Sequence, residues 1–428
     1  MRMRVRRRLF PLLASAGLMA LTMLTSTLGP GLLGHTQWAL PLDYWGTMLA
    51  ASRLAHLDIA GLYSQPTGLV SLPGTVVILL PLGVIINCAG LSLQIPGTAD
   101  PHPLVWLAGG PYQVALSCVA LFAADAAAEQ LGISRGKRAL LAAAEGVALW
   151  NVAGRWGHPE DAFAVGLTIY AMLALSQSRH SRAGWLAGAA VCVQPLVLLA
   201  IPVLLAVLPW RRMAAFVIRA ALPSAVLLAI AATANWSATY DAVTSQPDSP
   251  GINHPTLWTT LAPVMSGGNV AAGPARAVTI VLACCCALAV RRRLTHAPAG
   301  LESGWGTASA PGTWPSGLFA DVLWWAALTL ALRSFFEPVM VSYYLWPALA
   351  VALIPATLTW RRLVTASAIA AAITGVSQGT WRNPWLWWVP LIVALSVFLI
   401  VTRPGRRGRE RIGLRWTTVV DPQRTLDG

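Results

Sequence analysis

Apolar stretches recur along almost the whole chain, separated by short clusters of arginine. A helix that crosses a bilayer needs about 20 mostly apolar residues, and such runs fall at 9–29, 69–90, 107–129, 139–153, 162–178, 183–208, 213–233, 276–290, 319–334, 338–358, 363–380 and 385–402. Charge is correspondingly scarce. Asp, Glu, Lys and Arg make up 11% of the 428 residues, under half the share of roughly 25% in soluble domains. So little charge does not cover a soluble protein of this size. The chain therefore reads as an all-α, polytopic transmembrane helix bundle of about 10–12 membrane segments, some broken or re-entrant.

The arginine clusters set an orientation, because cytoplasmic loops carry the excess of Lys and Arg. Five arginines from Arg2 to Arg8 precede the first apolar run, which reads as an uncleaved first helix. Arg135/Lys137/Arg138, Arg179/Arg182, Arg211/Arg212, Arg291 to Arg293, Arg361/Arg362 and the tail from Arg403 fall on the same side, giving 24 of the 30 positive residues. Arg53, Arg155, Arg276, Arg333 and Arg382 fall on the other, and Arg219 lies within a run. Both termini are thus expected in the cytoplasm of a multi-pass plasma-membrane protein. The expected division is a membrane domain over 1–402, with extracytoplasmic loops 30–68, 154–161 and 234–275, and a basic cytoplasmic tail over 403–428 held near anionic headgroups.

Two segments break simple counting. The run 69–90 contains Pro73, Pro81, Gly83, Asn87 and Gly90, which favours a broken segment that dips into the membrane and returns. The stretch 183–208 is flanked by basic clusters and interrupted by Pro195 and Pro202, which favours a helical hairpin entered from the cytoplasmic side. Residues 294–318, rich in Gly, Ser and Pro, read as a linker. The positives are spread between spans rather than pooled on one face, which sets nucleic-acid binding aside. The six cysteines lie in apolar stretches without zinc-ligand spacing and read as unpaired thiols.

Polar side chains collect on the outer side. In the first loop Asp43 precedes Tyr44 and Trp45, and an amphipathic stretch with Arg53, His56 and Asp58 suits a helix lying flat at the interface. Asp43 either caps that helix or acts on a substrate. The turn 151–161 packs Arg155, Trp156, His158, Glu160 and Asp161 between two apolar runs. Carboxylates beside a histidine hold protons or metal ions, whereas the simpler reading is a helix start at Pro159. The loop 234–275, with Asp248 and then His254 in an Asn-His-Pro stretch, suits a sugar or lipid-headgroup surface, or a plain connector. Arg333 is either a phosphate ligand or the partner of Glu337 four residues on; Tyr343, Tyr344 and Trp346 follow. Arg382 reads as an interfacial anchor and Glu145 as a neutral acid inside the bundle.

The order of these parts, with the proline-broken run, the GHPED turn at 157–161 and the segment AGWLAGAAVCVQPLVLLAIPVLLAVLPWRR at 183–212, resembles the GT-C superfamily of integral membrane glycosyltransferases. The resemblance is strongest to the polyprenol-phosphate-mannose-dependent mannosyltransferases of bacterial envelopes, and it covers most of residues 9–350. It implies transfer of a sugar, mannose in that group, from a polyprenyl-phosphate donor to an envelope glycan or glycolipid acceptor on the outer face. It also implies that Asp43 is the general base, with Arg155, His158, Glu160, Asp161, His254, Arg333 and Tyr343 as candidate substrate-binding residues. No cofactor is implied, and the role of a divalent metal stays open. The chain departs from the family at Gln194, where members carry lysine, and at Ser71–Gly74, where they carry a Tyr-Pro-Pro-like entry. The alternative is a non-catalytic transporter, lipid-handling protein or scaffold of envelope synthesis.

Overall fold

The computed structural model describes residues 8–27, 42–64, 67, 69, 71–93, 104–251, 253–295, 314–379 and 384–405, with the side chains of 25–27, 42, 43 and 384 outside that set. The protein is built from α-helices. The described strands are two-residue pieces that pair in two antiparallel couples. Five helices are long and apolar enough to cross a membrane: 106–130, 210–234, 273–295, 316–336 and 385–402. Large apolar side chains such as Ile218, Val226, Val281 and Ile400 stand exposed along them, a surface that a soluble monomer does not present. This is a membrane protein.

In chain order the first elements are α1 (Leu9–Thr27), α2 (Leu42–Ala55), α3 (Pro73–Cys88), α4 (Trp106–Ser117), α5 (Val119–Gln130) and α6 (Arg135–Leu149). A π-helical turn, Trp150–Trp156, leads into α7 (Pro159–Ser176), α8 (His180–Val193), a 3-10 turn at Pro195–Ala200 and α9 (Ile201–Ala206). Next come α10 (Trp210–Ala234), α11 (Trp236–Thr244), β1 (Pro247–Asp248), β2 (His254–Pro255) and β3 (Val270–Ala271). The chain continues through α12 (Gly273–Thr295), α13 (Ser316–Phe336), β4 (Val339–Met340), α14 (Trp346–Ala356), α15 (Trp360–Ser377) and α16 (Pro384–Thr402).

Hydrophobicity on all sides sends α14 to the centre: each of its 11 residues is buried. By contrast, only 11% of the apolar stretch of α10 is buried, and 17% of that of α12, so these two face outward. Several helices extend beyond the apolar runs that foretell them, because arginine stems lie along apolar surface and let the helix run on. Thus α10 begins at Trp210, ahead of Arg211 and Arg212, and α12 runs to Thr295 through Arg291 to Arg293.

The run 69–90 does not break and return. It forms one helix, α3, which carries Pro81 in its interior. An interior proline costs about 3 kcal/mol, and tight packing on α2 opposes that cost. A Cβ on Gly83 would lie 2.3 Å from the Ala51 carbonyl oxygen, so only glycine permits the approach. Alongside, Asn87 donates to the Ser52 carbonyl at 3.0 Å and accepts from the Ser52 hydroxyl at 2.6 Å. Nor is α2 an amphipathic surface helix. Tyr44, Met48, Ala50 and Ala51 are fully buried against α3, and Arg53 turns back to the Gly61 carbonyl at 2.6 Å.

The stretch 183–208 folds as two helical arms. α8 ends where Gln194 becomes extended (φ −145°, ψ 112°), and Pro195 opens the returning arm. Residues at both outer ends, His180 and Arg212, line one cavity, so the arms start and finish at the same end of the bundle. That basic end also holds a closed ion cluster. Arg138 grips Asp125 with two bonds of 2.7 Å, and Arg8 reaches Asp125 at 2.6 Å and Glu129 at 2.9 Å.

Candidate functional site

The opposite end of the bundle is built by an irregular turn. Seven residues, Trp150–Trp156, form a π-helical turn, a widening that recurs at functional sites. A Cβ on Gly154 would lie 2.6 Å from the Trp150 ring. Gly157 then takes a left-handed conformation (φ 67°, ψ 46°), open to glycine without strain, and Pro159 starts α7 with its φ already helical. The result swings His158, Glu160 and Asp161 inward. His158 Nδ1 lies 2.8 Å from Glu160 Oε1, and its ring stacks on Tyr343 with centroids 4.1 Å apart. The Asp161 carboxylate accepts from the Gln194 amide, which the broken tip between α8 and the returning arm holds in place. Asp161 is 1% exposed and Glu160 3%. One oxygen of each, Glu160 Oε2 and Asp161 Oδ2, has no hydrogen-bond partner among the described residues.

A second pair of acids stands at the end of α13. Glu337 is fully buried and faces two arginines, Arg276 Nε at 3.3 Å and Arg333 Nε at 3.5 Å. Arg276, from α12, also donates to the Gln246 side chain. Asp248 reaches the same place from β1, whose pairing with β3 fixes it, and its carboxyl lies within the electrostatic reach of Glu337. Burial first, and then the negative charge of Glu337, push the Asp248 carboxyl up to about 7. Thr256 secures the turn beyond Glu337 by donating to the carbonyls of Glu337 at 2.8 Å and Pro338 at 3.0 Å.

Arg333 links the two pairs. Its guanidinium lies 3.4 Å above the centre of the Tyr344 ring, and its positive charge acts on both Asp161 and Asp248. Its side chain donates no hydrogen bond among the described residues. Four buried carboxyl groups therefore surround two arginines and a histidine. Buried acids with unbonded oxygens are costly, and they suit a place where protons or the hydroxyl groups of a ligand complete the bonding. Among the described residues, no three His, Cys, Asp or Glu side chains stand together as a metal site.

The remaining candidates fall around this centre or outside it. His158, Glu160, Asp161, Arg333 and Tyr343 come together. Arg155 instead lies over the Trp156 ring, 5.9 Å from its centre. His254 stacks on Trp387 at 3.9 Å, held there by the pairing of β2 with β4, and burial lowers its pKa. The Asp43 side chain and Arg382 lie outside the described residues. Asp43 stands second in α2, inside the first turn rather than ahead of it. Its neighbour Tyr44 donates to the Gly109 carbonyl at 2.9 Å and lies within the electrostatic reach of Glu160, so the start of α2 borders the carboxylate cluster. Glu145 is buried within α6, away from these contacts, with Oε1 unbonded among the described residues.

Sequence reasoning places Asp248 and Arg276 on the outer side without assigning them to a site. Their partners lie far along the chain: Arg276 and Glu337 are 61 positions apart, a separation that no local motif marks. Gln194 stands out in the sequence only as a departure, and in the structure it is the partner of Asp161. No protein-family model matches this chain, and no curated protein is similar to it at a significant level.

Proposed function

We propose that this protein is a glycosyltransferase that moves a sugar, mannose by resemblance, from a polyprenyl-phosphate donor to an envelope glycolipid or polysaccharide at the outer face of the plasma membrane. The observation that carries this reading is the cluster of four buried, incompletely bonded carboxyl groups around Arg333, at one end of a membrane bundle. A donor of this kind has a tail that stays in the bilayer and a sugar phosphate that stays at its surface, and a polar cluster at a bundle end serves both. A shallow groove of about 280 Å³ lined by Leu228, Ala232, Trp236 and Tyr240 adds an apolar surface between α10 and α11.

In this mechanism Asp43 takes the proton of the acceptor hydroxyl as its oxygen forms the new bond to the sugar C1. The bond from C1 to the phosphate oxygen breaks on the opposite face. The polyprenyl phosphate departs with the electron pair, and Arg333 stabilises its charge. Glu160 and Asp161 accept hydrogen bonds from sugar hydroxyls through the oxygens left open, while Tyr343 and Trp156 offer ring faces.

Membranes containing the protein should transfer sugar from a polyprenyl-phosphate donor, and Asp43→Asn should lower the rate roughly a hundred- to ten-thousand-fold. Transfer sustained by a nucleotide sugar after lipid-donor synthesis is blocked would overturn the assignment. Orientation is tested separately. Asp248 is buried, so a cysteine placed at the exposed Ser245 is the better target; impermeant reagent added from outside should label it and should miss a cysteine at position 300.

A second reading has one specific observation in its favour. A carboxyl poised near neutrality beside a second acid, as Asp248 is beside Glu337, is what a proton-coupled lipid carrier needs. Proton uptake without any sugar transfer would favour it.

A further inference from the structure

At the basic end, α8 and α10 enclose a half-open cavity of about 500 Å³ lined by Arg179, Arg182, Arg211, Arg212 and Arg219. Among the described residues no acid lines it, and none of the five arginines is in an ion pair. Cationic residues at cytoplasmic helix ends are ordinary, so the comparison with the other basic clusters decides the matter. Arg291 spends its guanidinium on the carbonyls of Ala206 at 3.1 Å and Leu208 at 2.8 Å. Arg293 stacks on Trp325, Lys137 caps the Leu358 carbonyl at 2.9 Å, and Arg138 is locked to Asp125. Those four side chains serve the fold. Of the five around the cavity, Arg219 alone among the described residues donates to a carbonyl, that of Ala215 in its own helix at 3.2 Å, and the other four guanidinium groups line the opening.

Arg219 shows that the cavity is built. It lies more than two turns inside α10 rather than in a loop. A Cβ on Gly184 would sit 3.0 Å from the Arg219 Cβ, so glycine makes room for its stem. The wall also continues into the membrane. Ala215 and Arg219 share a helix face with Leu222, Val226 and Ile230, which are all exposed. That face runs on for about 16 Å beyond Arg219 at 1.5 Å per residue. On the same two helices, Trp185 and Trp210 are exposed as interfacial aromatics are.

We propose that this cavity is a binding site for the phosphate headgroup of an anionic phospholipid, with one acyl chain lying along the Leu222–Val226–Ile230 face of α10. Several guanidinium forks match phosphate oxygens, and the adjoining apolar strip selects a lipid over a soluble anion. The site lies at the end of the bundle away from the carboxylate cluster and stands independently of the proposed reaction.

The test uses the purified full chain in detergent, titrated with phosphatidylglycerol or phosphatidylcholine and followed by native mass spectrometry. Phosphatidylglycerol should bind selectively, and the triple substitution Arg182→Gln/Arg212→Gln/Arg219→Gln should weaken it roughly a hundredfold. A control triple at the exposed Arg135, Arg292 and Arg361 removes equal charge and should keep near wild-type affinity. Equal losses in the two triples would reduce the effect to diffuse surface charge and overturn the site. Inorganic pyrophosphate in excess should leave the lipid bound to wild-type protein. Displacement by it would assign the cavity to a soluble anion instead, and would do so even if the pocket triple failed to fold.

Discussion

The bundle holds buried acids at both of its ends, and the two groups are bonded very differently. At the basic end Asp125 accepts three charge-assisted bonds of 2.6–2.7 Å from Arg8 and Arg138. At the other end Glu160, Asp161, Asp248 and Glu337 are also buried, yet among the described residues each keeps one oxygen without a hydrogen bond. An unmade bond in a low-dielectric interior is expensive. Four such acids gather at one end, beside a π-helical turn, and the proposed chemistry is assigned to that end. The Asp125 cluster ties α1, α5 and α6 together; the carboxylate cluster gathers α7, the Gln194 tip, the β1 loop, α12 and α13.

The largest expected effect comes from breaking the closed group. Asp125→Asn leaves Arg8 and Arg138 facing a neutral side chain, and loss of one partner of a buried pair typically costs about 3–5 kcal/mol. Thermal unfolding in detergent measures this, and a shift within experimental error would show that the closed cluster does not hold the fold. A smaller loss, about 1–3 kcal/mol for overpacking, is expected of Gly154→Ala, whose methyl collides with Trp150. Because that turn aims His158 and Asp161, activity per folded molecule should fall too. Unchanged activity would detach the π-helical turn from the site.

The third effect is a pH dependence confined to the open group. The Asp248 carboxyl is pushed up to about 7 by burial and by Glu337, against about 3.9 in an unfolded chain. The folded state therefore binds more protons than the unfolded state between these values, and stability falls as pH rises through that window. Asp248→Asn removes the dependence, so the difference in melting temperature between variant and wild type should grow from pH 5 to pH 8. A flat difference would contradict the burial of an ionisable pair there. Smallest is Arg155→Ala, which gives up a half-buried cation–π contact worth about 0.5–1 kcal/mol.

Much of this architecture is legible in the sequence, since apolar runs of membrane length and arginine clusters report directly on lipid burial. The Gln194 break shows as paired prolines between basic clusters. Other features are hidden for physical reasons. The helical continuity of α3 through Pro81 depends on packing at Gly83, and the burial of α2 depends on a helix some thirty residues away. The His158–Glu160–Asp161 turn is visible because it is local. The Asp248–Glu337–Arg276 group is not, because a bundle joins residues from loops and helix ends that no short spacing connects.

The most direct measurement of the central claim compares Asp161→Asn with Asp125→Asn in sugar transfer from a polyprenyl-phosphate donor, at matched amounts of folded protein. Asn at 161 still accepts from Gln194 but loses the charge, and transfer should drop by roughly a hundredfold or more. Asn at 125 should lower the yield of folded protein and leave the rate per folded molecule near wild type. The opposite pattern, transfer intact in Asp161→Asn and lost in folded Asp125→Asn, would place the working end of the molecule at the basic side and contradict the account.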